Sequence, residues 1–381
     1  MGENPLLQLQ EAGQCVWLDN LSRDLIVSGR LRELVEEGVA GITSNPSIFQ
    51  KAISHSTLYD ESLKKMVKQG VSDAKELFIG LAIEDIRNAA DLLEKVLGNT
   101  KCLSGYVSIE VSPDLAYDTR GTIQEARRLC SAVGRQNAFV KVPATKQGLP
   151  AIEELTRDGV NVNVTLLFSV ERSREVAEAY LRGIEQRIGK GEAVSDIVSV
   201  ASFFVSRVDT LVDKLLKKRL EAASSAEERN RLSGLVGRAA VANSKIAFRE
   251  FSKIFSSPRF LALKEKGANI QRLLWGSTST KNPDYSDVKY VEELVAPETI
   301  NTMPEDTLKA FKDHGRVKSV IGEGLGEAEA LFRELASVGV VMDEVTAELE
   351  KEGVKGFSDS YFALLEEIGK RRDSILAGKS V

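Results

Sequence analysis

Histidine and cysteine are scarce in this sequence, and their scarcity excludes several kinds of catalytic site. The 381 residues include only two histidines and three cysteines. Two histidines in polar contexts, His55 and His314, are too few for a metal site built on several imidazoles and do not suggest a histidine-centred triad. The cysteines are widely spaced and odd in number, which argues against a zinc cluster or a disulfide framework. A reducing compartment is therefore expected.

The sequence also lacks a strong excess of charge and any long apolar run. Its 51 basic and 56 acidic residues give a formal net charge of −5, so binding of nucleic acid or an anionic membrane by bulk charge is not expected. No run approaches the roughly 18 apolar residues of a membrane-spanning helix. Residues Met1 to Gln10 do not resemble a secretory signal. We expect a cytoplasmic protein, with the plastid stroma as the alternative if a transit peptide has been trimmed.

What the sequence does contain is a regular alternation of apolar strand-like runs and helical patterns. The eight candidate strands are Val16–Asn20, Gly41–Asn45, Gly105–Val111, Phe139–Thr145, Val160–Phe168, Val198–Val205, Arg272–Thr278 and Thr299–Met303. Because parallel neighbours need a long crossover, this alternation predicts a parallel sheet. Eight units predict an α/β fold of the (β/α)8 TIM-barrel type. The alternative is an open doubly wound sheet, which is disfavoured because no glycine-rich phosphate turn follows the first strand.

Helical periodicity fills the segments between the strands and the end of the chain. Ser169 is expected to cap a helix that reaches Ile188, and Ser225 to open one that reaches toward Phe255. Residues 327–381 are predicted to be a helical extension, in three pieces up to Lys379. The whole chain, residues 1–381, is therefore predicted to be a single barrel domain with additional C-terminal helices.

Two of the candidate strands carry polar residues on one face only. The polar sets are Tyr106, Ser108 and Glu110 on the third strand, and Asn161, Asn163 and Thr165 on the fifth. In a barrel surrounded by helices the apolar face must meet the helices, so the polar face is predicted to line the lumen. An antiparallel sheet with one solvated face would show the same alternation, but the long helical spacers argue against it.

Lys141 is the most informative polar residue, since it lies in an otherwise apolar run between Val140 and Val142. A desolvated amine is a nucleophile toward carbonyl groups and can form a Schiff base. The alternative is an edge-strand lysine that points to water. Asp19 and Glu110, near the ends of their strands, are candidate acid/base groups for such a reaction, or else counter-ions or helix caps.

Two cations follow strand ends on the sixth and seventh units. Arg207 comes after the run VASFFVS, and Lys281 lies in the hydroxyl-rich segment Gly276–Asn282. Hydroxyl groups, backbone amides and cations in barrel loops are typical of a phosphate site. The alternatives are an ordinary loop for this segment and a surface salt bridge to Asp209 for Arg207.

Seven segments together resemble the transaldolase family, in its longer bacterial and plastid-type branch, within the class I Schiff-base aldolase superfamily. They are VWLDNLSRD, GITSNPSIF, VSIEVSPDLAYD, FVKVPAT, GVNVNVTLLFS, SFFVSR and LLWGSTSTKNP. The most specific pair is KVPAT and NVNVTLLFS, with TSNPS upstream. In many relatives an arginine occupies the position of Lys281, so here the phosphate would meet a point charge at this position in place of a guanidinium fork.

The resemblance implies a role for each candidate residue. It implies that Lys141 is the Schiff-base lysine, that Asp19 is the acid/base at the substrate C4 hydroxyl, and that Glu110 acts through a water with Thr165. It further implies that Asn45 and Asn163 hold the dihydroxyacetone unit, that Ser202, Arg207 and Lys281 bind phosphate, and that Phe204 lines the site. No metal and no organic cofactor are implied.

The implied reaction transfers a dihydroxyacetone unit between sugar phosphates in the non-oxidative pentose phosphate pathway. The implied partners are small sugar phosphates, with the protein acting as a monomer or homodimer. One alternative is a fructose 6-phosphate aldolase, although those lyases are much shorter and usually carry Gln in place of Glu110 and Tyr in place of Phe204. The other is a non-catalytic sugar-phosphate-binding barrel, which would be expected to have lost Lys141 or Asp19.

Overall fold

Eight parallel strands close into a barrel in the computed structural model, which describes residues 4–98 and 103–378. The strands are β1 (Gln14–Leu18), β2 (Gly41–Ile42), β3 (Tyr106–Glu110), β4 (Ala138–Pro143), β5 (Val162–Leu167), β6 (Ser199–Phe204), β7 (Gln271–Gly276) and β8 (Thr299–Met303). Each strand pairs with the next in sequence, and β8 closes the ring by pairing with β1. The prediction of a (β/α)8 barrel is therefore confirmed.

Helices surround the barrel. Those up to the fifth strand are α1 (Pro5–Glu11), α2 (Arg23–Val27), α3 (Arg30–Glu36), α4 (Pro46–Ser54), α5 (Asp60–Lys68), α6 (Ala74–Leu93), α7 (Thr119–Val133) and α8 (Gly148–Arg157). The later ones are α9 (Val170–Gly189), α10 (Ser206–Ala222), α11 (Ala226–Ser233), α12 (Ala239–Phe255), α13 (Pro258–Lys264), α14 (Lys289–Glu292), α15 (Glu305–His314), α16 (Leu325–Ser337) and α17 (Met342–Leu376). Two short 3₁₀ turns cover Glu94–Val96 and Pro113–Leu115.

The predicted helix boundaries are partly right. Ser169 caps α9, as expected from its hydroxyl, which accepts a hydrogen bond from the backbone of the first turn. The helix expected from Ser225 toward Phe255 is instead two helices, α11 and α12, separated at Gly237 where φ is +71°. The C-terminal extension is two helices, α16 and α17, and not three pieces.

An apolar layer fills the barrel below the level of the candidate site. It consists of Cys15, Trp17, Ala40, Phe139, Val200, Leu274 and Ile300. Trp17 fits there only because Gly41 on the neighbouring strand has no side chain, since a Cβ at Gly41 would lie 2.6 Å from the indole ring. The lumen is thus closed from below, and its polar layer opens only toward the carboxyl ends of the strands.

The long helix α17 packs back against the barrel on the side where the candidate site opens. The hydroxyl groups of Ser47 and Ser360 lie 2.7 Å apart, and those of Ser112 and Tyr361 lie 3.0 Å apart. Gly353 allows a close approach, since a Cβ there would lie 2.9 Å from Cδ2 of Leu166. The C-terminal extension therefore forms part of the wall around the site.

The cysteines differ from one another in their bonding. Cys15 on β1 is disulfide-bonded, which the cysteine count did not predict. Cys130 on α7 is a free, partly buried thiol.

Within the described ranges, no helix is both long and apolar enough to cross a membrane.

A buried ion pair connects the segment after β1 to helix α6. The Nε atom of Arg23 donates to Oδ1 of Asp85 at 2.9 Å, and the hydroxyl of Tyr59 donates to Oδ2 of the same carboxylate at 2.8 Å. Arg23 also reaches Glu84 at 2.9 Å, but this second carboxylate is 48% exposed while Asp85 is fully buried. Burial raises the pKa of Asp85, although Arg23 opposes the shift.

We expect Asp85→Ala to lower the free energy of unfolding by about 3–5 kcal/mol, because it leaves a buried guanidinium and a buried phenol without their acceptor. Glu84→Ala is the matched control and should cost less than about 1 kcal/mol, because the carboxylate of Glu84 is 48% exposed. Urea titration of both variants measures the difference. Equal losses would show that burial does not determine the strength of this pair.

Candidate active site

Lys141 lies in the upper, polar layer of the lumen and is almost fully buried. It is the fourth residue of β4, directly above Phe139 of the apolar layer on the same face. Its Nζ donates to the backbone carbonyl of Ser44 at 2.9 Å and lies 3.4 Å from Oε2 of Glu110. The prediction that Lys141 is buried is confirmed, and the alternative of an edge-strand lysine that points to water is wrong.

Glu110 is the register partner of Lys141 on the adjacent strand β3. Desolvation raises the pKa of its carboxyl group above the usual range, although the neighbouring Lys141 lowers it and Asp19 raises it slightly. Both carboxyl oxygens, and the hydroxyl of Thr165, are buried without a hydrogen-bond partner among the described residues. The protein itself therefore leaves these oxygens able to accept hydrogen bonds from a bound water or another small molecule.

Asp19 follows the end of β1, where the backbone continues the sheet by a hydrogen bond to Met303. The hydroxyl of Thr43 donates to its Oδ1 at 2.9 Å and lies 3.0 Å from the hydroxyl of Thr302. This polar contact holds one carboxylate oxygen of Asp19. Asp19 is partly exposed and lies on the wall of the cavity.

Asn163 connects β5 across the lumen to β3 and to its sheet neighbour β6. Its Nδ2 donates to the hydroxyl of Ser108 at 3.0 Å, and its Oδ1 accepts from the hydroxyl of Ser202 at 2.7 Å. These contacts confirm that the polar faces of β3 and β5 point into the lumen. Thr165, two residues further, is paired with Pro143 on β4 and lies within a register irregularity of the β5–β6 pairing, between Val164 and Leu167.

Asn45 has a structural role as well as a place in the cavity wall. It is the N-cap of α4, and its Oδ1 accepts a hydrogen bond from the amide of Ile48 at 2.9 Å. Only its Nδ2 group therefore remains to donate to a bound molecule.

Arg207, the second residue of α10, has no carboxylate partner in the part of the chain that the structure describes. Its guanidinium lies 5.4 Å from the ring centre of Phe204 and 6.0 Å from that of Phe357 on α17. Burial lowers its pKa, against the attraction of nearby carboxylates.

The alternative salt bridge from Arg207 to Asp209 is wrong, because the carboxylate of Asp209 is bonded to Lys289, Tyr290 and the start of α12.

Lys281 lies at the outer edge of the site and donates to the hydroxyl of Ser279 at 2.6 Å. The surrounding protein lowers the pKa of its ammonium group by desolvation, and the positive charge of Arg207 lowers it further. Asp19 opposes this shift, while Lys51 adds to it. The cations are therefore close enough to repel one another, which favours a bound anion.

A cavity of about 330 Å³ brings most of the predicted site residues together. The predicted residues on its wall are Asp19, Asn45, Lys141, Ser202, Phe204, Arg207 and Lys281. Glu110 and Asn163 lie behind this wall, in contact with Lys141 and Ser202. Thr165 makes no direct hydrogen bond to another predicted residue.

Sequence reasoning missed several groups that the structure places in the site. Ser44 and Ser108 hold Lys141 and Asn163, and Thr43 holds Asp19. The sequence had already placed Ser108 on the polar face of the third strand, although not its bond to Asn163. Thr43 and Ser44 could have been found, because they belong to the candidate strand Gly41–Asn45. Phe357 and Lys51 also line the cavity, but they come from helices whose packing the sequence does not specify.

Comparisons with known proteins point to one family. The family model described as "Transaldolase/Fructose-6-phosphate aldolase" matches residues 16–368. The chain is 45% identical over 372 residues to "Transaldolase 2" of Nostoc sp., with 97% of each chain covered. It is 47% identical over 376 residues to "Transaldolase" of Mycolicibacterium paratuberculosis, with 98% of each chain covered. It is also 47% identical over 358 residues to "Transaldolase" of Thiobacillus denitrificans, covering 94% of this chain and 97% of the relative.

The contact between Phe357 and Arg207 predicts a measurable effect on anion binding. Phe357→Leu keeps an apolar side chain but removes the aromatic face, and a cation–π contact at a partly desolvated site is worth about 0.5–2 kcal/mol. We therefore expect inorganic phosphate to bind about twofold to thirtyfold more weakly, as measured by calorimetric titration. Phe362→Leu, at an exposed position on the same helix, is the control and should bind phosphate as the wild type does. Unchanged binding in Phe357→Leu would mean that α17 does not hold the guanidinium.

Proposed function

The chain belongs to the transaldolase/fructose-6-phosphate aldolase family and is a transferase, a transaldolase, and we propose that it reacts through a Schiff base at Lys141. In this proposal a dihydroxyacetone unit passes from fructose 6-phosphate or sedoheptulose 7-phosphate to an aldose phosphate. The observation that carries the proposal is the buried Nζ of Lys141, held by the Ser44 carbonyl and faced by Glu110 below a rim of cations.

The first step joins the substrate to Lys141. The neutral amine attacks the ketose C2 carbonyl, and the resulting carbinolamine loses its hydroxyl group as water to give the iminium ion. Glu110 can supply the proton for that departure, because its raised pKa favours the protonated form. We propose that a water between Glu110 and Thr165 carries the proton, which would use the oxygens that have no partner among the described residues.

The second step breaks the C3–C4 bond. Asp19 accepts the proton of the C4 hydroxyl, the electrons of the C3–C4 bond move to the iminium carbon and nitrogen, and an aldose phosphate leaves. The three-carbon enamine stays bound to Lys141. The acceptor aldose then enters, enamine C3 attacks its aldehyde carbon, and Asp19 returns the proton to the new hydroxyl. Hydrolysis of the iminium releases the new ketose and restores the amine.

The remaining polar groups hold the two ends of the substrate. Asn163 is fixed by Ser108 and Ser202, and with the free Nδ2 of Asn45 it can hold the hydroxyl groups of the three-carbon unit. Because the hydroxyl of Ser202 is committed to Asn163, we propose that it orients this amide, and that phosphate is bound by other groups. Arg207 and Lys281, both without a carboxylate partner among the described residues, are the proposed phosphate ligands.

The transferase is favoured over the lyase of the same family by two residues. Glu110 and Phe204 stand where the shorter fructose 6-phosphate aldolases usually carry Gln and Tyr. Phe204 meets Phe168 in an edge-to-face contact and lies against Arg207, so the site has an apolar surface where a tyrosine hydroxyl would lie. A site without that hydroxyl offers one fewer acid to protonate the enamine, which favours transfer to an aldehyde over release of dihydroxyacetone. Action as a monomer or homodimer in the cytoplasm is part of the same proposal.

Borohydride reduction in the presence of fructose 6-phosphate is the test of this proposal. We expect a reduced three-carbon adduct on Lys141, because borohydride reduces the iminium and fixes the substrate carbon to nitrogen. Peptide mapping by mass spectrometry locates the adduct. Lys141→Met should give no adduct, whereas Lys146→Met, at an exposed position after the same strand, should label as the wild type does.

The two alternatives give different results in the same assay. A lyase would label Lys141 but release free dihydroxyacetone in the absence of an acceptor at a rate close to its turnover. A non-catalytic binding barrel would give no adduct. An adduct on another lysine would contradict the assignment of Lys141.

A further inference from the structure

Lys51 lines the same cavity from a position further along helix α4 than any residue assigned so far. The helix begins at its Asn45 cap, and its cavity-facing residues Ser47, Ile48 and Lys51 follow the three- and four-residue spacing of one helix face. Lys51 is four residues beyond Ser47, which corresponds to about 6 Å along the helix axis. Its charge therefore enters the cavity near the mouth, above the level of Asn45.

Lys51 has no ion-pair partner in the part of the chain that the structure describes. Its side chain is exposed. The positive charge of Lys51 is felt by Lys281 on the other side of the mouth, and both lysines share the cavity with Arg207. Three cations around one opening, with Asp19 as the single carboxylate on the described wall, repel one another unless an anion lies between them.

The proposed reaction presents phosphate to this mouth at two different depths. In fructose 6-phosphate the phosphate is attached to the sixth carbon, and in sedoheptulose 7-phosphate to the seventh. With C2 fixed on Lys141 in both, the longer donor carries its phosphate about one carbon–carbon bond, ~1.5 Å, further out. A single rigid guanidinium cannot fit both depths equally well, whereas a lysine on a flexible stem can follow the shift.

We propose that Lys51 and Lys281 form an outer phosphate position that overlaps the inner one at Arg207, and that Lys51 selects substrates with the longer chain. The proposal rests on the proposed function and deepens it. Lys51 is then a specificity-determining residue, which favours sedoheptulose 7-phosphate as donor and, in the reverse direction, erythrose 4-phosphate as acceptor. A lysine that served only the C-terminal turn of α4 would affect both donors equally.

The test compares the two donors in Lys51→Met, which keeps the length of the side chain and removes its charge. In a ping-pong reaction the kcat/KM of a donor depends on the donor half-reaction alone, so the two values can be compared directly. We expect kcat/KM to fall about tenfold or more for sedoheptulose 7-phosphate and less than about threefold for fructose 6-phosphate. Lys51→Arg should retain most of the preference.

Lys68→Met, an exposed position on the next helix, is the control for a general loss of positive charge and should leave both values unchanged. Two results in Lys51→Met would overturn the outer position alone. Either the ratio of the two kcat/KM values stays at the wild-type value, or kcat/KM falls more for fructose 6-phosphate than for sedoheptulose 7-phosphate. A wild-type protein that turns over neither donor would overturn the proposed function and the outer position together.

Discussion

Lys141 and Glu110 face each other across two adjacent strands inside the barrel, and most other features of the site follow from the cost of burying them. Removing two opposite charges from water costs several kcal/mol per ion, and their mutual attraction at 3.4 Å repays this only in part. The apolar layer that includes Phe139 closes the lumen below Lys141 and excludes water there. The backbone carbonyl of Ser44 accepts a hydrogen bond from the amine of Lys141 and fixes its position. The raised pKa of Glu110 is the direct consequence of this arrangement.

The sequence was sufficient to predict the barrel and the lumen side of its strands, because both depend on local periodicity. Alternation on β3 and β5 placed Ser108 and Asn163 on one side, and their side chains are hydrogen-bonded there. It was not sufficient for helix α17, because a long amphipathic helix can pack on several surfaces, and only the folded chain shows Phe357 beside Arg207. The break at Gly237 was missed for the same reason, since Asp209 caps the new helix from a distant position.

The two ends of the cavity differ in how they are built, and this difference matches the two tasks of a group transferase. The inner end is rigid, with Asn163 and Asp19 each held by neighbouring side chains. The outer end is formed by Arg207, by Lys51 on α4 and by Lys281 in the loop after β7. None of these three cations has a carboxylate partner in the described part of the chain. A rigid inner end suits one constant three-carbon unit, while an adaptable outer end suits aldoses of different length.

The central claim is that Glu110 acts on Lys141 during Schiff-base formation, and the rate of imine formation in Glu110→Gln tests it most directly. Gln keeps the shape of the side chain but cannot donate a carboxylic proton. Rapid mixing with fructose 6-phosphate followed by borohydride quenching gives the rate at which the Lys141 adduct appears. The account predicts a rate lower by about 10²-fold or more, the usual contribution of a positioned acid. An adduct that forms in Glu110→Gln at the wild-type rate would contradict it.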